Sequence, residues 1–209
     1  MDCCTNCYIS FPTPCDGGIF KGAMDYIVAT GVPTGRKFGD VGYCKNARVK
    51  ECYQDPVLAA NAGQTPCTDA DIDNIINNIN GTCNYTCDTG STASFSYYRV
   101  TRVLPIASAS TNNALNMANW ILITEMEIYE DLFEIRGNTF YTRTYGRSLA
   151  WATVAIYGYL YDANLGQEYW IVRFAFGVRF GVNAYVRVAK NINCGGIETP
   201  GNQFYFSME

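Results

Sequence analysis

A chain of 209 residues is long enough for one domain with a sizeable core, or for one domain built of two packed lobes. Apolar residues make up 48% and charged residues only 16%, which excludes a disordered tail or a highly charged filament helix. The formal net charge of −4 argues against a nucleic-acid partner gripped through its phosphates, and no apolar run, that beginning at Trp120 included, comes near the ~20 residues a membrane helix needs.

Residues 1–18 form a cysteine-rich segment punctuated by proline and ending in Cys15-Asp16-Gly17-Gly18. Asp16 is placed to cap a helix in which Ile19-Phe20, Ala23-Met24 and Ile27-Val28 recur at helical spacing. Gly31 supplies its stop, with Pro33 just beyond. From Pro33 to about Gly90 the periodicity is lost among Gly, Pro, Asn and Asp. One short helix is expected there, where Thr68-Asp69-Ala70-Asp71 precedes Ile72, Ile75, Ile76 and Ile79. So long an irregular stretch needs disulfides to supply the order that a poor core cannot. The second half is rich in strands: 95–104, 120–128, 152–161, 168–174 and 183–189 are the candidates, with a helix at 111–119 and a last short strand at 202–206. The expected class is α+β, a disulfide-laced helical and loop lobe (1–90) followed by an antiparallel β-rich lobe (91–209).

Ten cysteines are present, nine of them between Cys3 and Cys87, and there is no histidine. This density fits an oxidising compartment, and the acceptor sequons at Asn80 and Asn84 agree with it. Met1 is followed at once by Asp2-Cys3-Cys4, with no secretory signal, so the expectation is a processed extracellular product. The lack of histidine removes the usual general base for a Ser or Cys nucleophile and the commonest metal ligand. The spacing of Cys4 to Cys7 and of Cys83 to Cys87 is roughly that of zinc ligands, but the secretory setting favours disulfides, whose pairing the spacing alone leaves open.

Weaker signals favour plain readings. The 16 tyrosines and 11 phenylalanines are expected mainly in the core and on sheet faces rather than on a carbohydrate or partner surface. Asp16, Asp25, Asp40, Asp69, Asp71 and Asp73 lack a calcium-loop pattern and are expected to cap and solvate. Glu125, Glu127, Glu130, Asp131 and Glu134 are expected as exposed acids on a strand and loop, without a glycosidase motif. No metal or cofactor is expected.

Three stretches resemble the papain family of cysteine proteases, its cathepsin B branch in particular. The first runs from Cys3-Cys4 through Cys7 and Cys15-Asp16-Gly17-Gly18 to Ala23-Met24-Asp25-Tyr26 and Thr30-Gly31-Val32-Pro33-Thr34-Gly35. The second is Ala155-Ile156-Tyr157-Gly158-Tyr159 with Glu168-Tyr169-Trp170-Ile171-Val172 after it. The third is Gly181-Val182-Asn183-Ala184-Tyr185-Val186-Arg187-Val188 with Asn193-Cys194-Gly195-Gly196-Ile197-Glu198. With Tyr129-Glu130-Asp131-Leu132-Phe133, the resemblance spans nearly the whole chain and implies a papain-like two-lobe fold, truncated at its N-terminus.

The departures bear on chemistry. The family's histidine lies six residues before the glycine that matches Gly158, which here is Ala152. Phe174 stands where the orienting asparagine is expected, followed by Ala175-Phe176-Gly177. The motif carrying the nucleophilic cysteine would precede Met1. The region 44–67, matching the loop whose paired histidines bind a substrate carboxylate in the cathepsin B branch, has no histidine. A methyl and a phenyl ring neither accept a proton nor orient an imidazole, so the resemblance points to a protein that is not a protease. Aromatic residues at 174 and 176 imply a cleft that is filled or covered.

The resemblance also implies four bridges: Cys3–Cys83, Cys4–Cys7, Cys44–Cys87 and Cys52–Cys67. Cys15 and Cys194 are left free or available for an intermolecular bond. Two functions follow. One is a structural extracellular protein that polymerises with copies of itself through head-to-tail contacts, using the arm 1–14 or the tail 199–209 as an added strand and Cys15 as a lock. The other is a monomeric binding module, with an N-terminal fragment or a cystatin-like inhibitor as ligand. Neither reading involves nucleic acid or membrane.

Overall fold

The computed structural model describes residues 4, 7, 18–36, 41–46, 60, 66–71, 73, 85–88, 97–106, 121–137, 139–177, 180–201 and 203–207. The chain divides into two compact units, Met1–Val100 and Thr101–Glu209.

In the first unit, helix α1 spans Phe20–Ala29 and buries Phe20 and Met24, one turn apart on one face. Its N-cap is Ile19 rather than Asp16, with no side-chain cap. The backbone supplies the restraint instead, since the Ile19 N–H donates to the Cys7 carbonyl. The helix closes as expected at Gly31, whose φ of 86° only glycine adopts freely. The N–H groups of Thr30 and Gly31 both donate to the Tyr26 carbonyl, at 2.8 and 3.3 Å. A Cβ at Gly31 would also meet the Tyr98 carbonyl oxygen at 2.9 Å, because β1 (Val32–Pro33) pairs there with β2 (Tyr97–Tyr98).

Thr68 and Asp71 form the expected reciprocal cap: the Thr68 N–H and hydroxyl donate to Asp71 Oδ2, and the Asp71 N–H donates to Thr68 Oγ1 at 3.2 Å. Disulfides join Cys4 to Cys7 and Cys44 to Cys87. The second closes a separation of 43 residues and sits in a polar bracket. The Cys44 N–H donates to Thr34 Oγ1, Asp88 N–H to the Cys44 carbonyl, and Lys45 pairs with Asp88 at 3.0 Å. Cys67 is also disulfide-bonded. Cys3, Cys15, Cys52 and Cys83, the sequons at Asn80 and Asn84, and the helix expected at 111–119 lie outside the described residues.

The second unit is one seven-stranded, mostly antiparallel sheet, ordered β3-β9-β4-β6-β7-β8-β5. Its strands are β3 (Arg102–Pro105), β4 (Leu122–Tyr129), β5 (Phe140–Tyr141), β6 (Ser148–Asp162), β7 (Gln167–Arg173), β8 (Tyr185–Ala189) and β9 (Gln203–Ser207). The single strand expected at 95–104 is split into β2 and β3, which belong to different sheets. Between them the Arg99 side chain donates to the Thr30 carbonyl, anchoring that segment to the end of α1.

Period-two alternation builds the core. Leu122, Thr124, Met126 and Ile128 are buried along β4, and they face Ile156, Val154 and Ala152 across the β6 register. The same face continues through Ile156 opposite Val172, Val172 opposite Val186 and Trp170 opposite Val188. Each such fully buried side chain contributes roughly 1.5–3 kcal/mol by area.

Strand β9 completes the sheet. It lies between β3 and β4, so the tail is already a strand of its own sheet rather than a free arm. Its anchor is Gln203, buried beside Thr124 and donating through Nε2 to the Ile197 carbonyl at 2.6 Å.

Candidate functional site

Ala152 lies on β6 opposite Met126, half-buried and packed against the core. Phe174 follows the last residue of β7, where its N–H donates to the Ala184 carbonyl at 2.9 Å. That bond turns the chain inward, and the Phe174 ring is 2% exposed.

Around Phe174 the structure gathers Phe133, Phe176 and Phe180. Phe174 stacks on Phe176 with centroids 5.6 Å apart and meets Phe180 edge-on at 5.3 Å. Phe133 closes the group, 5.6 Å from Phe176 and 5.8 Å from Phe180. Edge-on and offset contacts of this kind are the favoured geometry for phenyl rings. The expectation that both aromatics would be covered holds only for Phe174. Phe176 is 42% exposed, because Phe180 and Phe133 flank it without capping it. Phe180 was not singled out from the sequence, and Phe133 only as the end of a family-like stretch, since nothing in their local pattern brings residues so far apart together.

Beside this group lies a polar centre that sequence reading placed in solvent. Asp131 is buried, not exposed. It lies in a 3-10 turn, Glu130–Glu134, and its carboxylate ties down the connection between β5 and β6. Oδ1 accepts from the Tyr141 hydroxyl at 2.8 Å, and Oδ2 accepts from the Thr144 and Tyr145 N–H groups at 2.9 and 3.1 Å. Burial, then the bond to Asp131, pushes the Tyr141 phenol well above its ordinary range.

Cys194 is buried in the same core, as a free thiol whose sulfur lies 3.8 Å from the Tyr141 carbonyl. Burial first, and the Asp131 charge second, push its pKa up to about 12. It is therefore neither a nucleophile near neutral pH nor placed for a bridge to another chain, because a thiol must reach the surface to form one.

Four further acids have local partners. Glu127 accepts from the Tyr129 hydroxyl and from Ser148, and these two bonds hold its carboxyl below the usual range. Arg143 stacks on Tyr129, with its guanidinium carbon 3.7 Å from the ring centre. Glu130 pairs with Arg147, and Glu168 with Lys190 at 2.7 Å. Glu198 is buried and accepts from Trp170 Nε1 and from the Asn191 and Asn193 N–H groups, each at 2.8 Å. Each of these carboxylates is thus occupied by neighbouring groups of the fold. No cluster of three or more potential metal ligands occurs among the described residues.

The family model for the papain family cysteine proteases matches residues 1–202. The cathepsin B-like cysteine proteinase 4 of Caenorhabditis elegans is 28% identical over 205 residues, covering 95% of this chain and 56% of the relative. A gut-specific cysteine proteinase of the same organism is 22% identical, covering 95% and 54%. The chain thus spans about half the length of the curated relatives it matches. Among solved structures, a procathepsin B from Trypanosoma congolense superposes with a TM-score of 0.70 at 19% identity, over 99% of this chain and 57% of that one. The bromelain protease of Ananas comosus gives 0.57 at 17% identity, over 100% and 75%. The fold, the ordered motifs and a family match over almost the full length agree: this chain belongs to the papain family of cysteine proteases.

Proposed function

We propose that this chain is a non-catalytic member of its family that acts outside the cell by assembling with copies of itself. The observation that carries the proposal is the chemistry of two positions. Ala152 stands where the family's motif places the base and Phe174 where it places the orienting amide. A Cys–His–Asn site works by passing a proton from thiol to imidazole, with the amide fixing the ring. A methyl group packed against Met126 and a phenyl ring inside an aromatic cluster do neither. With no histidine in the chain, no other residue supplies an imidazole.

Two features support action through contacts. The long strand β6 exposes Leu149, Trp151, Leu160 and Tyr161, and apolar exposure of this kind marks interaction surfaces. The described disulfides suit an oxidising compartment. No described helix is long and apolar enough to cross a membrane.

The test has two arms on the native protein. Hydrolysis of a fluorogenic dipeptide library is expected at background rate from pH 4 to 8; turnover abolished by a thiol-alkylating inhibitor would sink the non-catalytic reading. Light scattering over a concentration series is expected to show species larger than the ~23 kDa chain. A monodisperse monomer would sink self-assembly and favour the binding module, with the half-exposed Phe133 and Phe176 pair as the surface to probe.

A further inference from the structure

Strand β6 slips register at Tyr157: Ile156 lies opposite Val172 on β7 and Gly158 opposite Ile171, so Tyr157 has no partner across the ladder. A bulge of this kind re-aims a side chain. Here it turns Tyr157 onto the sheet face that carries Arg173 and Tyr185, which lie opposite each other on β7 and β8. That face is the one away from the buried Val172 and Val186. The Tyr157 and Tyr185 rings meet edge-on at 5.3 Å, and Arg173 Nη1 donates to the Tyr157 hydroxyl at 3.3 Å.

No carboxylate answers Arg173 among the described residues, although its side chain is exposed; the groups that act on it are the two phenols. The acid on the same face, Asp162, lies opposite Gln167 and pairs with Arg187 at 3.9 Å. Gln167 is six positions along β7 from Arg173, roughly 20 Å at the rise of a strand. Hydrogen-bond capacity then fixes the sign of a ligand. A guanidinium only donates, and the Tyr157 oxygen already accepts from it, which leaves the Tyr157 O–H to donate outward. Donors around an unanswered cation suit an oxyanion. One guanidinium balances one charge, so a carboxylate fits better than a doubly charged phosphate, and the net charge of −4 opposes a dense polyanion.

Beside these donors the surface is flat and apolar. Ile171 is half-buried, and a Cβ built on Gly158 opposite it would meet no described atom within 4 Å. The φ of Gly158 lies outside the left-handed region, so the backbone does not call for glycine there. Glycine inside a strand weakens it, and one that neither φ nor packing requires marks a place where a ligand comes close to the backbone. A pyranose ring bearing a carboxylate offers both halves of the match, an anion at its rim and a flat face of C–H groups.

We infer that Arg173, Tyr157 and Tyr185, with Gly158 and Ile171 as the floor, form a binding site for a hexuronic-acid unit of a glycan. The guanidinium and phenols hold the carboxylate, and the sugar ring lies over Gly158. The site is complete on one chain and does not depend on the self-assembly proposed above.

The experiment is titration calorimetry of the full chain with a galacturonic acid trisaccharide. Its carboxyl-reduced neutral counterpart, triglutamate and acetate are the comparisons. The acidic trisaccharide is expected to bind at least about tenfold more tightly than any of the three. Arg173→Gln should weaken it by about tenfold or more, and Tyr157→Phe, which keeps the ring and removes the donor, by about threefold or more. Arg102→Gln, exposed on β3 at the far edge of the sheet, should change it less than about twofold. Gly158→Val fills the floor without a described clash and should remove binding while leaving circular dichroism and melting temperature native. Equal affinity for the neutral sugar, or full affinity in Arg173→Gln, overturns the carboxylate contact. Equal affinity for triglutamate or acetate, or full affinity in Gly158→Val, overturns recognition of the sugar. No binding at millimolar trisaccharide overturns the site. A monomeric wild type that binds the trisaccharide would sink self-assembly and leave this site standing.

Discussion

Cys194 illustrates how position governs a side chain's chemistry. In sequence it is the lone thiol of the second half and a natural suspect for a bridge between chains. In the fold it is buried, with its pKa pushed up to about 12. A thiol-reactive dye at pH 7.5 is therefore expected to leave it unlabelled in the native protein and to label it fully in denaturant. The pH dependence has a definite sign. A group whose folded pKa is raised adds stability that is intact below its ordinary value and lost as pH climbs through the folded value. For Cys194 that window runs from 9.0 to about 12, and Tyr141, raised by burial and by Asp131, acts in the same direction. Melting temperature should fall above pH 9, and less steeply in Cys194→Ala.

Phe174 and Asp131 make the same point about packing. Phe174→Asn, which would restore the family's amide, places an unpartnered polar group among phenyl rings and should cost roughly 3–5 kcal/mol in chemical denaturation. Asp131→Ala strands the buried Tyr141 hydroxyl and two backbone N–H groups, for a loss of roughly 3 kcal/mol. A change below 1 kcal/mol in either would contradict the described contacts.

Among the elements, β9 is the most consequential. It is the sheet neighbour of β3 and also flanks β4, so its removal opens two edges at once. Truncation after Gly201 is expected to abolish the near-ultraviolet circular dichroism of the second unit, or to send the protein into inclusion bodies. A truncated chain with native spectra and an unchanged melt would refute this role. The long strands themselves were largely legible, because 122–128, 168–172 and 185–189 are short runs rich in β-branched and aromatic residues. The break within 95–104 was not. It depends on Arg99 bonding to Thr30 and on β3 pairing with β9, both contacts between residues far apart in sequence. The cap of α1 was missed for a related reason, since a backbone bond from Ile19 to Cys7 replaces the side-chain cap that local pattern suggested.

At the scale of the molecule the two units are held by different means. Of the ten cysteines only Cys194 falls in Thr101–Glu209, so that unit contains no disulfide of its own and depends on its sheet core. The first unit depends on cross-links, and Cys44–Cys87 alone is worth about 4 kcal/mol by loop-closure entropy. Hydrogen exchange with and without reductant should separate them. Protection is expected to collapse in Met1–Val100 at reductant concentrations that leave β4, β6 and β7 protected. Simultaneous loss throughout would mean that the second unit relies on the first.

The sequence by itself determined the family, the α+β class and most of the long strands, because these follow from motifs and patterns that are local. It also determined that no imidazole exists anywhere in the chain, which is composition alone. Tertiary structure decided the rest. It buried Asp131 and Cys194, drew four phenylalanines from separate segments into one cluster, and placed the tail inside the sheet. Each of these depends on which distant residues meet, and burial, pairing and exposure are properties of those meetings rather than of any residue's neighbours in the chain.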